Sequence, residues 1–525
     1  MQNEKDLISV ALALLGQRTG LSTREVRLSS RVKPLVSRPL LTRFRRAIRA
    51  GGDPLGEAFS TIRSPAERRT LGATYTPSAI VRSMVRWAGS LGTPVRIVDP
   101  GAGSGRFIIA AAKRFPRARL VAVETDPLAA LILRANVAAL GLTRRTTLIV
   151  SDFREIELPR VDGSTLFIGN PPYVRHHNID VDWKEWFADA AAGLGFRASR
   201  LAGLHVHFFV KTMQLAQNRD FGAFITSAEW LDVNYGSAMR RLLADGMGGV
   251  ALHVLDPRAM PFAGAATTGA ITCFHVGMRS ASLLVRAVED ISTLGALSAG
   301  TPVPWPTLES SSRWSTIVRP GPPVPPGYVE LGEVCRVHRG QVTGSNHVWI
   351  AGDHATDLPA NVLKPTVTKA RELLRANGTL EDRSALRCVV DLPEDLDELT
   401  DEAKEAVQRF LRWARTEGAH ESYIARHRRP WWAVNLRAPA PIICTYMARR
   451  PPAFVRNLCG ARHINIAHGL YPRETLGNGV LDALATWLTD NVGIESGRTY
   501  AGGLTKFEPG ELERVWVPKI EDLHA

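Results

Sequence analysis

The sequence predicts an α/β fold built on a doubly wound, mostly parallel sheet with helices on both faces. Helices precede it and a mixed α+β domain follows. Three observations predict this. From Val95 onward, short apolar strands alternate with helix-like stretches, the pattern of successive βα units. A glycine-rich turn separates the first of these strands from the first helix. At 301–327 the texture turns proline-dense, and beyond it the alternation does not resume.

Residues 1–70 read as helices broken at Gly20, Pro34 and Gly51-Gly52. They hold 14 Lys and Arg against 6 Asp and Glu, a net +8 out of +14 for the chain. In "RPLLTRFRRAIRAGG" (38–52), Arg43, Arg46 and Arg49 recur at helical spacing. That suits a helix laid along a phosphate backbone and equally a solvated face. The sheet then starts with "VRIVDPG" (95–101) and runs through "GRFIIAAAKRF" (105–115), "RLVAVETDP" (119–127), "LAALILRANVAALG" (128–141) and "TTLIVSDF" (146–153). "TLFIGNPPY" (165–173), a helix from about His205 to Gln217, and "FGAFITSAEWL" (221–231) continue it. "VALHVLDP" (250–257) and "GAITCFHVG" (269–277) add two more strands. "TPVPWPTLE" and "RPGPPVPPG" cannot propagate a helix or a central strand and read as an extended linker. The expected divisions are a basic helical segment 1–71, a catalytic domain 72–300, a linker 301–327 and a C-terminal domain 328–525. Two helices are expected in the last, Asp401 to Arg415 and Leu481 to Leu488.

The net charge of +14 and pI near 9.9 favour a polyanionic partner, of which nucleic acid is the commonest. The five cysteines form no C-x-x-C pair, so neither a zinc module nor a disulfide framework is indicated. "ISVALALLG" (8–16) is too short, and follows acidic residues, so it does not read as a signal peptide. No run approaches the roughly 20 apolar residues of a membrane span, and a cytoplasmic protein is expected.

Two constellations carry chemistry. The first is "IVDPGAGSGRFIIAAA" (97–112), a strand, glycine turn and helix. Gly101, Gly103 and Gly105 permit a tight turn and close approach of backbone to a ligand. Glu124 ends the next strand, where a carboxylate can bind both hydroxyls of an adenosine ribose. Asp152 ends the third, where it could accept from an adenine amine. Nicotinamide-dinucleotide enzymes use a similar arrangement, but with G-x-G-x-x-G spacing; here the spacing is G-x-G-x-G after Asp99-Pro100.

The second constellation is Asn170-Pro171-Pro172-Tyr173 at the end of a buried strand. An aromatic or amide NH2 is a poor nucleophile because its lone pair is delocalised. An amide oxygen from Asn170 and the Pro171 carbonyl, its direction set by the proline pair, can accept from the two N–H groups and draw the nitrogen toward tetrahedral geometry. Tyr173 offers a face for stacking.

Together these residues resemble the gamma-class DNA N6-adenine methyltransferases, the Asn-Pro-Pro-Tyr type of modification methylase in bacterial restriction–modification systems. "GATYTP" (72–77) precedes the glycine loop and a large variable domain comes last, as in that class. The resemblance spans about 72–277. It implies a class I methyltransferase (Rossmann-like) domain and S-adenosyl-L-methionine as cofactor, with Thr76, Pro77, Asp99, Gly101, Gly103, Gly105, Glu124 and Asp152 around it. It implies Asn170, Pro171, Pro172 and Tyr173 at the reacting adenine, with Phe262 closing the base from the other side. A stacked adenine must be flipped out to reach such a pocket. The expected partners are double-stranded DNA and a separate cognate endonuclease; a monomer in a bacterial cytoplasm and no metal are also expected.

Residues 328–525 have the size of a target-recognition domain. In "HRGQVTGSNHVWI" (338–350), Arg339, Gln341, Thr343, Ser345 and Asn346 could read base edges. "ARHRRPWW" (425–432) and Lys506 could contact DNA, and "RHHNID" (175–180) could do so near the flipped base. Release-factor glutamine methyltransferases and RNA purine methylases share the Asn-Pro-Pro-Tyr signature, and a DNA-binding subunit without activity is a reading of another class.

Overall fold

The computed structural model describes residues 3–16, 20–63, 76–232, 234–256, 269–311, 313–319, 324–500 and 504–523. The chain divides into two compact units, Met1–Gly321 and Pro322–Ala525.

Among the described residues the first unit opens with α1 (Glu4–Leu15), α2 (Thr23–Ser29), α3 (Arg38–Arg49) and α4 (Pro54–Ile62). The breaks fall at the expected glycines and proline. Asn3 caps α1, Ser22 closes a capping box on α2, and Asp53 caps α4, supplying the acceptors that free helix N–H groups require. Then follow α5 (Ser78–Leu91), β1 (Arg96–Pro100), α6 (Arg106–Arg114), β2 (Arg119–Val123), α7 (Pro127–Ala139), β3 (Thr146–Ile149) and β4 (Thr165–Gly169). After these come α8 (Val181–Gly193), α9 (Leu204–Leu215), β5 (Phe221–Ser227), α10 (Ser237–Ala244), β6 (Gly249–Leu255), β7 (Gly269–His275), β8 (Ser282–Val288) and β9 (Thr301–Pro304).

The nine strands form one sheet in the order β3-β2-β1-β4-β5-β7-β6-β8-β9. The pairs β3/β2, β2/β1, β1/β4, β4/β5 and β6/β8 are parallel. β7 lies antiparallel between β5 and β6. β1 and β4 are neighbours from opposite halves of the winding, so their carboxyl ends form the switch point where such sheets bind ligands. Every residue of β1, β4 and β5 is buried, which is why they read as unbroken apolar runs. One face packs Ile97, Leu120, Leu166 and Ile168 against Ile80, Met84, Trp87, Phe107 and Ile108 of α5 and α6. The other packs Val98, Phe167 and Phe224 against Phe187, Phe208 and Phe209 of α8 and α9. This is the doubly wound class I methyltransferase fold.

Two expected divisions differ from the structure. The N-terminal helices are not a separate arm. Leu7, Ile8, Ala11, Leu12, Ile48 and Leu55 share a core with Leu128, Leu131, Ile132 and Ala135 of α7. α7 is apolar on nearly all sides, and a helix of that kind must be covered all round. The basic face of α3 nevertheless points to solvent: Arg38, Arg43, Arg45 and Arg46 are exposed. Nor is 301–318 a linker. Thr301–Pro304 pairs with β8 as an edge strand, a position that tolerates proline because only one side needs ladder hydrogen bonds. Trp314 is 1% exposed beneath it, donating through Nε1 to the Leu308 carbonyl at 2.9 Å and meeting Trp230 at 5.9 Å between ring centroids.

The second unit contains a five-stranded sheet. Its order is Cys335–Arg339, Ala467–Pro472, Ile442–Thr445, Phe454–Asn457, Thr379–Leu380. Smaller sheets of three, three and two strands accompany it. The long helices are Asp401–Thr416 and Asn478–Asn491. Separate cores surround Leu484, Leu488 and Phe454 and Trp349, Val389 and Phe410. Among the described residues no helix is long and apolar enough to cross a membrane.

Candidate active site

At the carboxyl ends of β1, β2, β3 and β4 lies a cavity of about 210 Å³. Thr76, Gly101, Gly103, Glu124, Asp152, Asn170 and Pro172 line it, so residues distant in sequence meet there.

The glycine turn makes the first wall. Gly101, Gly103 and Gly105 all have positive φ, 77°, 54° and 93°. A Cβ on Gly101 would lie 3.5 Å from Pro172 Cδ, and one on Gly105 3.1 Å from Leu133 Cγ. The positive φ favours glycine at all three positions, and at Gly105 the 3.1 Å approach adds a tight contact. Gly105 is the N-cap of α6.

Glu124 closes one end. Its Oε2 accepts from Gly103 N at 2.7 Å, and its Oε1 from Thr125 N and Asp126 N, each at 2.9 Å. Burial of the carboxyl raises its pKa, while these N–H groups act in the opposite sense. The side chain is therefore fixed by the protein's own main chain at the cavity wall.

Asp152 is held by a fork. Arg154 Nε donates to Oδ1 at 2.9 Å and Arg154 Nη2 to Oδ2 at 2.7 Å. The guanidinium carbon sits 3.8 Å from the Trp183 ring centroid. Beside Asp152, Phe153 and Phe208 give an apolar surface, their rings 5.1 Å apart.

The Asn-Pro-Pro-Tyr turn forms the mouth. Asn170 Nδ2 donates to Thr76 Oγ1 at 3.0 Å. The Val174 carbonyl just beyond the turn accepts from Leu204 N at 2.9 Å, tying the turn to the start of α9. Tyr173 is half-buried against the core of α5 and α6, and burial pushes its phenol pKa up.

Some predicted residues lie behind the cavity instead of on it. Asp99 is 1% exposed; its Oδ2 accepts from Ile108 N at 3.1 Å. Burial raises its pKa well above the ordinary carboxylate range, with the neighbouring Glu124 charge acting in the same direction. Asp99 thus braces the first turn of α6. Pro77 is the N-cap of α5, and Pro171 is buried. Phe262 lies outside the described residues.

Sequence reasoning missed the contribution of the N-terminal helices. Gly56, Phe59 and Ser60 of α4 also line the cavity. Asp53 at the head of α4 accepts from Ser104 Oγ at 2.5 Å and Arg106 Nε at 3.1 Å, both at the glycine turn, and from Asn136 Nδ2 of α7 at 3.2 Å. The Asp53-Pro54 pair signals a helix start, but nothing in the sequence links it to residue 104.

In the second unit several expected DNA contacts are occupied. Thr343 is 1% exposed and meets Asn346 Oδ1 at 2.5 Å. Arg428 donates to the carbonyls of Val342 and Thr343, bracing that loop from beneath. Arg339 pairs with Glu508 at 2.5 Å, and Lys506 pairs with the same carboxylate. Trp432 Nε1 donates to the Pro393 carbonyl at 3.1 Å. Ser345 is partly exposed and Asn346 exposed at the surface.

Comparison with known proteins adds to this geometry. Residues 151–247 match the Eco57I restriction-modification methylase family. Residues 325–525 match the C-terminal domain of type II methyltransferase M.Eco57I. The chain is 55% identical over 528 aligned positions to type II methyltransferase M.XamI of Xanthomonas campestris pv. amaranthicola, covering 100% of both. It is 21% identical to type II methyltransferase M.AccI of Acinetobacter calcoaceticus over 87% of each. A shorter match, 35% over 91 residues, covers 17% of this chain and 35% of a tRNA1(Val) (adenine(37)-N6)-methyltransferase of Porphyromonas gingivalis.

Proposed function

This chain belongs to the type II DNA methyltransferases of restriction–modification systems, and from that premise we propose that its target is the N6 amine of an adenine flipped out of duplex DNA. The cofactor is S-adenosyl-L-methionine. The cavity suits it: a held carboxylate at Glu124, another at Asp152, an apolar surface from Phe153 and Phe208, and backbone of Gly101 and Gly103 along the wall. Glu124 would hold the ribose, Asp152 and Phe153 the adenine, and Thr76 would border the methionine end. When bound there, the cofactor supplies an electrophilic methyl group on a sulfonium.

The chain's own residues prepare the nucleophile. Asn170 Oδ1 and the Pro171 carbonyl accept from the two hydrogens of the substrate amine. The lone pair then leaves conjugation with the ring, and the fixed dipoles stabilise the positive charge that develops on nitrogen. No base is needed at the outset, because the proton departs from a nitrogen already cationic. Tyr173 and Phe262 stack on the extruded base. The observation that carries this reading is that Asn170 and Pro172 line the same cavity as the glycine turn and Glu124.

In this proposal the second unit chooses the DNA sequence, the protein acts as a monomer, and the cognate endonuclease is a separate chain. Single-molecule sequencing of host DNA expressing the protein tests the target atom. N6-methyladenine in one recurring sequence is expected. Modified cytosine, or label confined to RNA or protein when purified protein is supplied with tritiated cofactor, would overturn the assignment.

A further inference from the structure

The catalytic asparagine is connected to the N-terminal helices by a continuous run of hydrogen bonds. Asp53, 8% exposed, accepts from Arg106 Nε at 3.1 Å. The same guanidinium donates through Nη1 to the Thr76 main-chain carbonyl at 2.6 Å. Thr76, 3% exposed, accepts through Oγ1 from Asn170 Nδ2 at 3.0 Å. Asp53 is itself anchored by Ser104 Oγ at 2.5 Å, Asn136 Nδ2 at 3.2 Å and Gly56 N at 2.9 Å. Gly56 has no room to change: a Cβ there would come within 2.1 Å of Asp53 Oδ2 and 2.6 Å of Ser104 Oγ.

The chemistry of an amide gives this arrangement a consequence. Asparagine has one acceptor end and one donor end, and methyl transfer to an amine requires the acceptor to face the substrate. The bond from Nδ2 to Thr76 Oγ1 fixes the rotation and plane of the amide, and with them the position of Oδ1. The hydroxyl works only if it is fixed, and Arg106 fixes it by gripping the carbonyl of the same residue. Arginine's planar fork lets one side chain serve Asp53 and Thr76 together.

We propose that Asp53, Arg106 and Thr76 are positioning residues for methyl transfer, forming a relay from α4 to Asn170 that fixes the position and plane of the Asn170 amide. This rests on Asn170 being the group that accepts from the reacting amine. The N-terminal helices are then a working part of the catalytic centre, independent of any role of their basic face in holding DNA.

The test compares Thr76→Val, which keeps the shape and removes the hydroxyl, with Thr76→Ser, which keeps the hydroxyl. Single-turnover methylation of duplex DNA at saturating cofactor and the Kd for S-adenosyl-L-methionine are measured on the full chain. For Thr76→Val the single-turnover rate at saturating cofactor should fall at least tenfold, a loss beyond whatever change in Kd follows from Thr76 bordering the cofactor. Thr76→Ser should stay within threefold of wild type in both. Asp53→Asn should slow the same step about fivefold, and add less than twofold when combined with Thr76→Val, because both act through one path. The proposal is overturned if Thr76→Val keeps its rate, if Thr76→Ser is as slow as Thr76→Val, if weakened cofactor binding explains the whole loss, or if the Asp53 and Thr76 effects multiply in full. Should the wild-type protein methylate cytosine, the adenine assignment fails, and the same comparison on that substrate still decides the relay.

Discussion

Three polar side chains at this site are each held by other groups of the protein. Glu124 is held by three main-chain N–H groups, Asp152 by the Arg154 fork, and Asn170 by Thr76. Such preorganisation lets dipoles stabilise charge without first reorienting. Asn170→Ala should therefore lower the single-turnover rate by about 10²–10³, the range for removing one fixed dipole at a reacting centre. Its cofactor Kd should change by less than about threefold, because the residue acts on the amine. Rapid-quench methylation and calorimetric titration check the two halves; a loss confined to Kd would remove Asn170 from the chemistry.

Among the elements, the glycine turn and the Asn-Pro-Pro-Tyr turn were legible because each needs unusual residues for its backbone. Gly101 needs a positive φ beside Pro172, and successive prolines fix a carbonyl's direction. The segment 301–318 was misread for the same kind of reason. Proline density argues for extended chain and is silent about whether that chain pairs with an edge. Trp314 now offers a test. Replacing a buried tryptophan by alanine costs about 3–5 kcal/mol, so Trp314→Ala should lower the unfolding free energy of the first unit by about that amount. Urea unfolding followed by circular dichroism measures it; a loss under about 1 kcal/mol would mean this segment is not part of that core.

Among the described residues of the whole molecule, five histidines are buried and held neutral. Burial lowers the pKa of His205, His253, His463 and His468 to about 4 and that of His207 to about 3. Above the unfolded value of about 6.5 neither state binds the proton and these groups are neutral to stability. As pH falls from 6.5 toward 4 the unfolded chain takes up protons that the folded chain refuses, so stability drops. Asp99, Glu124, Asp220 and Asp391, with pKa values raised by burial, act in the opposite sense, while Asp290, Asp382 and Glu508, whose pKa values are lowered, lose stability on acidification together with the histidines. Each histidine contributes up to about 1.4 kcal/mol per pH unit. Unfolding midpoints should be flat between pH 7 and 8 and decline below about 6.5, with His205, His207 and His253 acting in the first unit and His463 and His468 in the second. Midpoints that hold steady down to pH 4.5 would show that these rings are not kept neutral.

The sequence by itself determined the sheet, the glycine turn, the carboxylates at the ends of β2 and β3, and the asparagine–proline turn. These are set by periodicity and by backbone demands that only a few residue types meet, and both are local. Only the tertiary structure decided that α4 walls the cofactor cavity, that Asp53 reaches Ser104, Arg106 and Asn136, and that Thr76 grips Asn170. It also decided that Arg339, Thr343 and Lys506 are already engaged within their own unit. A hydrogen bond between residues 53 and 104, or 76 and 170, leaves no periodicity in the chain. It depends on how helices pack over α7, and packing obeys shape and burial, which no short stretch of sequence encodes.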